Sequence, residues 1–145
     1  MMTSRTFRAS ALAGLVVVAA VALGARWARP GSKESCALDG LKVEPAYRVE
    51  VIDERGESHA FCCPACARLW LEGRRAPPRA VRVTDEATGE QIDAASACYV
   101  RSTVVTAPGT ENRVHVFRDR ADAERHAGAF GGLVLPGAAA PFGVR

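Results

Sequence analysis

One pattern occurs twice in the 145-residue chain and constrains its fold more than any other feature. Two stretches that suit β-strands are followed by a stretch with helix start and stop signals, and then by a further short strand. The second copy follows at an offset of 56 residues, so that His59-Ala60-Phe61 corresponds to His115-Val116-Phe117. We therefore predict an α+β fold built as a tandem of two small ββαβ units. A single α+β domain without duplication is the alternative.

The units are predicted to span 36–84 and 85–136, with a linker at 30–35 before them and a flexible tail at 137–145 after them. Pro64 suits the first turn of a helix and Gly73 suits its end. The predicted elements are, in chain order, strands at 47–52 and 57–62, a helix at 64–72, strands at 79–84, 98–106 and 113–117, a helix at 119–130 capped by Asp119, and a strand at 133–135.

An uncharged apolar run of 17 residues, at 9–25, precedes both units and has arginines on either side. The run is short beside the roughly 20 residues of a typical membrane span. Residues 1–29 are predicted to form a signal anchor that stays in the membrane or a cleaved signal peptide, with a buried core helix as a third alternative. Both main alternatives place the rest of the chain outside the cytoplasm. It would be anchored in the inner membrane and face the periplasm, or be periplasmic after cleavage.

Charge and motifs narrow the class of function. From residue 31 onward, 15 Lys and Arg face 16 Asp and Glu. Nucleic-acid binding depends largely on neutralising phosphates, so this balance argues against a nucleic-acid partner. The sequence contains no nucleophile elbow, no phosphate-binding loop and no HExxH pattern. The carboxylates of Asp85 and Glu86 are expected on a solvated turn. We therefore predict a protein that is not an enzyme.

Three of the five cysteines fall in the segment Phe61-Cys62-Cys63-Pro64-Ala65-Cys66, where a predicted strand ends and a helix begins. A helix start favours thiolates. Thiolates three residues apart at such a corner can converge on one soft metal ion. Cys36 lies about one strand upstream and could join them to bind Cu(I), whereas a fourth donor such as Asp39 or His59 could make a zinc site. The predicted metal ligands are Cys63 and Cys66 as the central pair, Cys36 as the third, and Cys62 or His59 as auxiliary donors.

Other interpretations of the cysteines stay open. Cys63-Pro64-Ala65-Cys66 also fits a dithiol redox motif at a helix start, which would make the chain a thiol-disulfide oxidoreductase. Structural disulfides, or a structural zinc module for protein interaction, are further alternatives. Cys98 is expected to be a buried apolar residue, His126 to be solvated, and Leu69 and Trp70 to lie in the helix core.

The second unit resembles a known family. The segment Asp85-Glu86-Ala87-Thr88-Gly89-Glu90-Gln91-Ile92-Asp93-Ala94 is similar to the D-x-x-T-G-x-x-I-D-A segment of NosL-type nitrous oxide reductase accessory proteins. Ala97-Cys98-Tyr99-Val100 resembles their A-x-Y-V strand, and Phe117, Ala123 and Gly131-Gly132-Leu133-Val134 resemble their closing F…A…GG-x-V pattern. The cysteine segment of the first unit is similar to TRASH-type metal-binding modules, in which F-C-x-x-C follows a hairpin.

This resemblance implies two ββαβ units and an extracytoplasmic, membrane-attached chaperone. Such a chaperone delivers Cu(I) to the apo-form of nitrous oxide reductase during denitrification. The family site usually carries Cys-x-x-Cys-Gly-Met, whereas here Asp39 replaces the second cysteine. Members are usually lipoproteins, whereas this chain has an apolar run instead. The only methionines are Met1 and Met2, so a thioether ligand is excluded from the two units, and thiols would have to replace it.

Overall fold

A four-stranded antiparallel sheet forms the first half of the fold in the computed structural model, which describes residues 35–107, 109–137 and 140–142. The strands β1 (Val49–Ile52), β2 (Ser58–Phe61), β3 (Ala80–Thr84) and β4 (Gln91–Asp93) lie in the order β2-β1-β3-β4. A short 3-10 helix, Pro45–Tyr47, precedes β1, and helix α1 (Pro64–Glu72) connects β2 to β3. Because successive strand residues point to opposite faces, one face of this sheet carries buried valines.

A three-stranded antiparallel sheet follows. Its strands β5 (Cys98–Arg101), β6 (Val114–Phe117) and β7 (Leu133–Val134) lie in the order β6-β5-β7. Helix α2 (Arg120–Ala129) connects β6 to β7. Buried residues of both sheets belong to one apolar cluster, which contains Val83 of the first sheet and Tyr99 of the second. The two sheets therefore share a core.

The observed architecture confirms the predicted α+β fold with two ββαβ arrangements. The strand β4 was not predicted; it extends the first sheet, with Ile92 opposite Val83. The predicted strand at 98–106 ends at Arg101, earlier than expected. Asp119 does precede α2, but its side chain makes no capping hydrogen bond, so that detail of the prediction is wrong.

The predicted signal region at 1–29 lies outside the described residues, as does the linker at 30–35 apart from Ser35. The tail at 137–145 is described only in part. Among the helices that the structure does describe, none combines the length and the apolar character needed to cross a membrane.

Asp85 and Glu86 are not on a solvated turn, contrary to expectation. Asp85 is buried and accepts hydrogen bonds from the Thr88 hydroxyl at 2.7 Å and from the Arg118 N–H at 3.2 Å. The Glu86 carboxylate accepts hydrogen bonds from the Val116 N–H at 3.0 Å and from His115 Nδ1 at 2.9 Å. His115 and Val116 both lie on β6, and Arg118 follows it directly. Hydrogen bonds to the two carboxylates therefore connect the segment after β3 to the second sheet.

Candidate metal centre

The loop that carries Cys36 is held by its own backbone and by β2. The Cys36 N–H donates to the Leu41 carbonyl at 2.7 Å, and the Gly40 N–H donates to the Cys36 carbonyl at 2.9 Å. Gly40 has φ of +75°, a conformation that costs glycine little. The Ala37 N–H donates to the Ala60 carbonyl at 2.8 Å, which joins the loop to β2. These bonds place Cys36 and the neighbouring Asp39 beside the end of that strand.

The other three cysteines of the first unit lie where β2 passes into α1. Cys62 follows the last residue of β2, and Cys63 is the extended residue before the helix. Pro64 is the first helical residue, where its missing N–H leaves no intrahelical bond unmade. Cys66 then lies in the first turn of the helix. All three cysteines are buried.

Four donor atoms converge at this corner. The Sγ atoms of Cys36, Cys62 and Cys66 and one carboxylate oxygen of Asp39 all lie within 4.8 Å of one another. The Sγ atoms of Cys62 and Cys66 are 3.5 Å apart. Asp39 Oδ2 lies 3.2 Å from Cys66 Sγ and 3.8 Å from Cys62 Sγ. Asp39 is exposed, whereas the three thiols are buried, so the carboxylate covers the solvent side of the cluster.

Burial favours the protonated form of two of these thiols, Cys62 and Cys66. Burial raises the pKa of the Cys66 thiol, and its hydrogen bond to Asp39 raises that pKa further. Burial also raises the pKa of the Cys62 thiol, and the neighbouring Cys63 adds to the effect. Although partial burial opposes it, the pKa of the Asp39 carboxyl is lowered by hydrogen bonds from the Leu41 N–H and from the surrounding thiols. At Cys62 and Cys66, burial therefore outweighs the expected effect of the helix start.

The structure brings together three of the five predicted ligands. Cys63 Sγ lies 4.0 Å from Cys62 Sγ and is fully buried, but it is not part of the four-donor group. His59 is not part of that group either and contacts Asp53 instead, with Nε2 3.0 Å from Oδ2. Asp39 joins the thiols instead. The signal for Asp39 was its spacing, because Cys36-x-x-Asp39 repeats the three-residue step of Cys63-x-x-Cys66.

Two residues of the helices, Leu69 and His126, differ from expectation, whereas Trp70 packs against the core as predicted. Leu69 is 58% exposed and is not part of the core. Trp70 is half-buried and packs its ring against Phe61, with ring centroids 5.4 Å apart. His126 is half-buried rather than solvated, and its ring lies 4.1 Å from that of His115. Burial, together with the nearby His115, lowers the pKa of His126.

Comparison with known proteins places the fold. No protein-family model matches the chain, and no curated protein sequence matches it significantly. Among solved structures, it is similar to the crystal structure of the copper chaperone NosL from Shewanella denitrificans. The TM-score is 0.63 at 21% sequence identity, and the match covers 74% of this chain and 89% of that chain. At this identity the likeness establishes the fold.

The four donor atoms determine which metal ions this group could bind. Thiolates are soft ligands that select Cu(I) or Zn²⁺. Three thiolates suffice for Cu(I) in low coordination, whereas tetrahedral zinc needs a fourth donor, which Asp39 could supply. The arrangement can therefore hold either ion, and it is a candidate metal centre.

Proposed function

We propose that this chain is a carrier of Cu(I), which binds the ion through Cys36, Cys62 and Cys66 and passes it to a copper-requiring apo-protein. One observation supports this most directly. Three thiol sulfurs from two separate segments lie within 4.8 Å of one another. A buried cluster of this kind binds a soft cation without further rearrangement of the chain.

Transfer would proceed by exchange of ligands. Cu(I) is stable with two or three sulfur donors, so an incoming ligand can add before an old one leaves. Asp39 is the exposed member of the group and is the weakest donor for a soft ion. An acceptor would therefore approach from the Asp39 side and take the ion from the buried thiolates in successive steps.

The proposed acceptor is apo-nitrous oxide reductase, and the proposed location is the outer side of the inner membrane. The acceptor follows from the resemblance of 85–134 to the NosL-type accessory proteins, and the likeness in fold to a copper chaperone supports it. The location follows from the apolar run at 9–25. Fractionation of cells that express the full-length chain would test the location, and recovery in the cytosolic fraction would contradict it.

A structural zinc module is the second candidate function. The observation that favours it is the fourth donor, because Asp39 completes a set of three sulfurs and one oxygen. A thiol-disulfide oxidoreductase fits less well. Catalytic thiols need a lowered pKa and access to substrate, whereas Cys66 is buried and its pKa is raised.

The test is a competition titration on the full-length chain, reduced and free of oxygen. Cu(I) is titrated against a chromogenic chelator, and Zn²⁺ is titrated in parallel. We expect one Cu(I) per chain and tighter binding of Cu(I) than of Zn²⁺. Cys66→Ser should weaken Cu(I) binding at least about tenfold, since even residues behind the ligands change metal affinity by that factor. Cys98→Ser is the matched control, because Cys98 lies outside the cluster, and it should leave the affinity unchanged.

Asp39→Ala separates the two candidates. Loss of this oxygen should weaken Zn²⁺ binding strongly and Cu(I) binding little, because only zinc requires the fourth ligand. Since Asp39 is exposed, this variant should fold even if a buried Cys→Ser change does not. The carrier proposal is wrong if Cys66→Ser, shown to be folded by circular dichroism, binds Cu(I) as tightly as the wild type does.

A further inference from the structure

The hairpin between β1 and β2 carries a second set of metal-ligating side chains. Donor atoms of Asp53, Glu57 and His59 lie within 4.8 Å of one another. His59 is three residues before Cys62, which corresponds to about 10 Å along an extended backbone. The two sets are therefore separate, and they differ in chemistry. The first set is mainly sulfur, whereas the hairpin offers two carboxylates and one imidazole.

Two of the three hairpin ligands are already held in place. Asp53 Oδ1 accepts hydrogen bonds from the backbone N–H groups of Arg55 and Glu57, both at 2.9 Å. This leaves Asp53 Oδ2 directed at His59 Nε2, 3.0 Å away. The His59 ring is supported on its other side by Trp70, with ring centroids 4.7 Å apart. Both side chains are therefore already positioned to share an ion, which would take the place of the proton between Oδ2 and Nε2.

The distance between two of the donor atoms fits a metal ion. Two ligands that each lie about 2.1 Å from an ion are separated by roughly 3.0 to 3.4 Å in octahedral or tetrahedral geometry. The 3.0 Å between His59 Nε2 and Asp53 Oδ2 meets this requirement. Glu57 is exposed, and among the described residues its carboxylate has no hydrogen bond or ion pair.

Local charge also favours a cation at the hairpin. Asp53 contributes one carboxylate to the turn. Glu54 and Glu57 add two further carboxylates in the same turn. The opposing charges are Arg55 in the turn and Arg79, whose Nε donates to the Glu54 carbonyl at 3.1 Å. In the turn and its direct hydrogen-bond partner, three carboxylates therefore face two guanidinium groups, and a third, that of Arg74, lies over the Trp70 ring.

We infer that Asp53, Glu57 and His59 form a second metal site, which binds a divalent cation of the zinc class with water in the remaining positions. Carboxylate and imidazole together suit such borderline ions, whereas Cu(I) prefers the thiols. The inference does not depend on the proposed carrier function. A chain whose thiols bind no copper could still bind a divalent ion at the hairpin.

The test is a Zn²⁺ titration of the reduced, full-length chain, followed at the ring nitrogens of His59 by NMR. We expect the His59 ring-nitrogen signals to shift and to reach saturation when one Zn²⁺ is bound at each hairpin. Glu57→Gln should weaken this binding about tenfold or more, because it removes one ligand from an exposed position. Glu54→Gln is the matched control, being a carboxylate of the same turn outside the group, and it should bind as the wild type does.

Two further variants complete the test. Asp53→Asn keeps an oxygen for the turn hydrogen bonds but removes the charge, and it should weaken binding as Glu57→Gln does. Cys66→Ser should leave the His59 response intact, which separates this site from the thiol centre. The inference is overturned if Zn²⁺ leaves the His59 signals in place, or if Glu57→Gln and Glu54→Gln bind equally. Either result would make the Asp53–His59 contact a purely structural ion pair.

Discussion

Removal of the Glu86 side chain is the sharpest test of how the two sheets are joined. The Glu86 carboxylate accepts one hydrogen bond from His115 Nδ1 and one from the Val116 N–H. His115 is 1% exposed and Val116 is 5% exposed, so water is a poor substitute at both. Glu86→Ala therefore leaves two buried polar groups of β6 without their partner.

The expected loss follows from the number of groups affected. A buried group that loses its hydrogen-bond partner costs about 1–3 kcal/mol, which gives roughly 2–6 kcal/mol for two. The Glu86 side chain is 14% exposed, so some water can enter the space that it leaves. We therefore expect Glu86→Ala to lower the free energy of unfolding by about 2–4 kcal/mol. Glu86→Gln keeps one acceptor oxygen and should lose about half as much.

Urea unfolding of the reduced, full-length chain, followed by circular dichroism, measures this difference. The dependence of the free energy on urea should be unchanged, so that the midpoint reports stability. Glu90→Ala is the control, since its ion pair with Arg118 is on the surface and should contribute less than about 1 kcal/mol. If Glu86→Ala and Glu90→Ala lower the free energy of unfolding by amounts that agree within about 0.5 kcal/mol, the Glu86 hydrogen bonds do not join the two sheets as described.

Three further predictions concern single side chains. The folded pKa of Asp53 is about 2, below its ordinary 3.8, so its contribution is present above about pH 4 and disappears as the pH falls toward 2. In Asp53→Asn the midpoint of urea unfolding should therefore depend less on pH over that interval than it does in the wild type. An equal pH dependence in the two proteins would contradict this. Gly132→Ala places a Cβ 2.8 Å from a backbone carbonyl oxygen and should destabilise by about 1–3 kcal/mol in thermal melting. Gly128→Ala, with open space around it, should not destabilise, and equal melting of the two would contradict the packing argument. Tyr99→Phe loses a 2.7 Å hydrogen bond to a backbone carbonyl and should cost about 1 kcal/mol in urea unfolding, and a change near zero would contradict it.

Local signals explain which elements could be predicted from the sequence. Helix α1 was predicted with its observed limits, because Pro64 and Gly73 mark its two ends by their own backbone preferences. The strand β4 was missed because Gln91–Asp93 is polar and becomes a strand only by pairing with β3. Asp85 was expected at the surface for a similar reason. Its partner Arg118 belongs to a distant part of the chain.

In the candidate metal centre, too, some positions follow from local sequence signals and others depend on contacts between distant parts of the chain. The sequence signals directly that a strand ends where a helix begins, which brings three cysteines together. It favoured Cys63 with Cys66 as the central pair, whereas in the structure Cys62 Sγ lies 3.5 Å from Cys66 Sγ and Cys63 is outside the four-donor group. Cys36 lies close to the other thiols because the Ala37 N–H donates a hydrogen bond to the Ala60 carbonyl. This is a tertiary contact, which the spacing of the cysteines in the sequence does not reveal. The position of the His59 ring could not be predicted from the strand face that it shares with Phe61. The ring forms a hydrogen bond with Asp53 on the other side of the hairpin.

The division of the thiols between two segments has a consequence for the order of folding. Cys62, Cys63 and Cys66 are neighbours in any conformation of the chain, whereas Cys36 reaches them only after a segment of about 25 residues closes. By polymer statistics, closing a flexible segment of that length costs roughly 3 kcal/mol in entropy. A metal ion captured first by the local thiols would offset part of this cost as the loop docks. Metal present during folding should therefore speed the docking of the Cys36 loop more than the formation of helix α1.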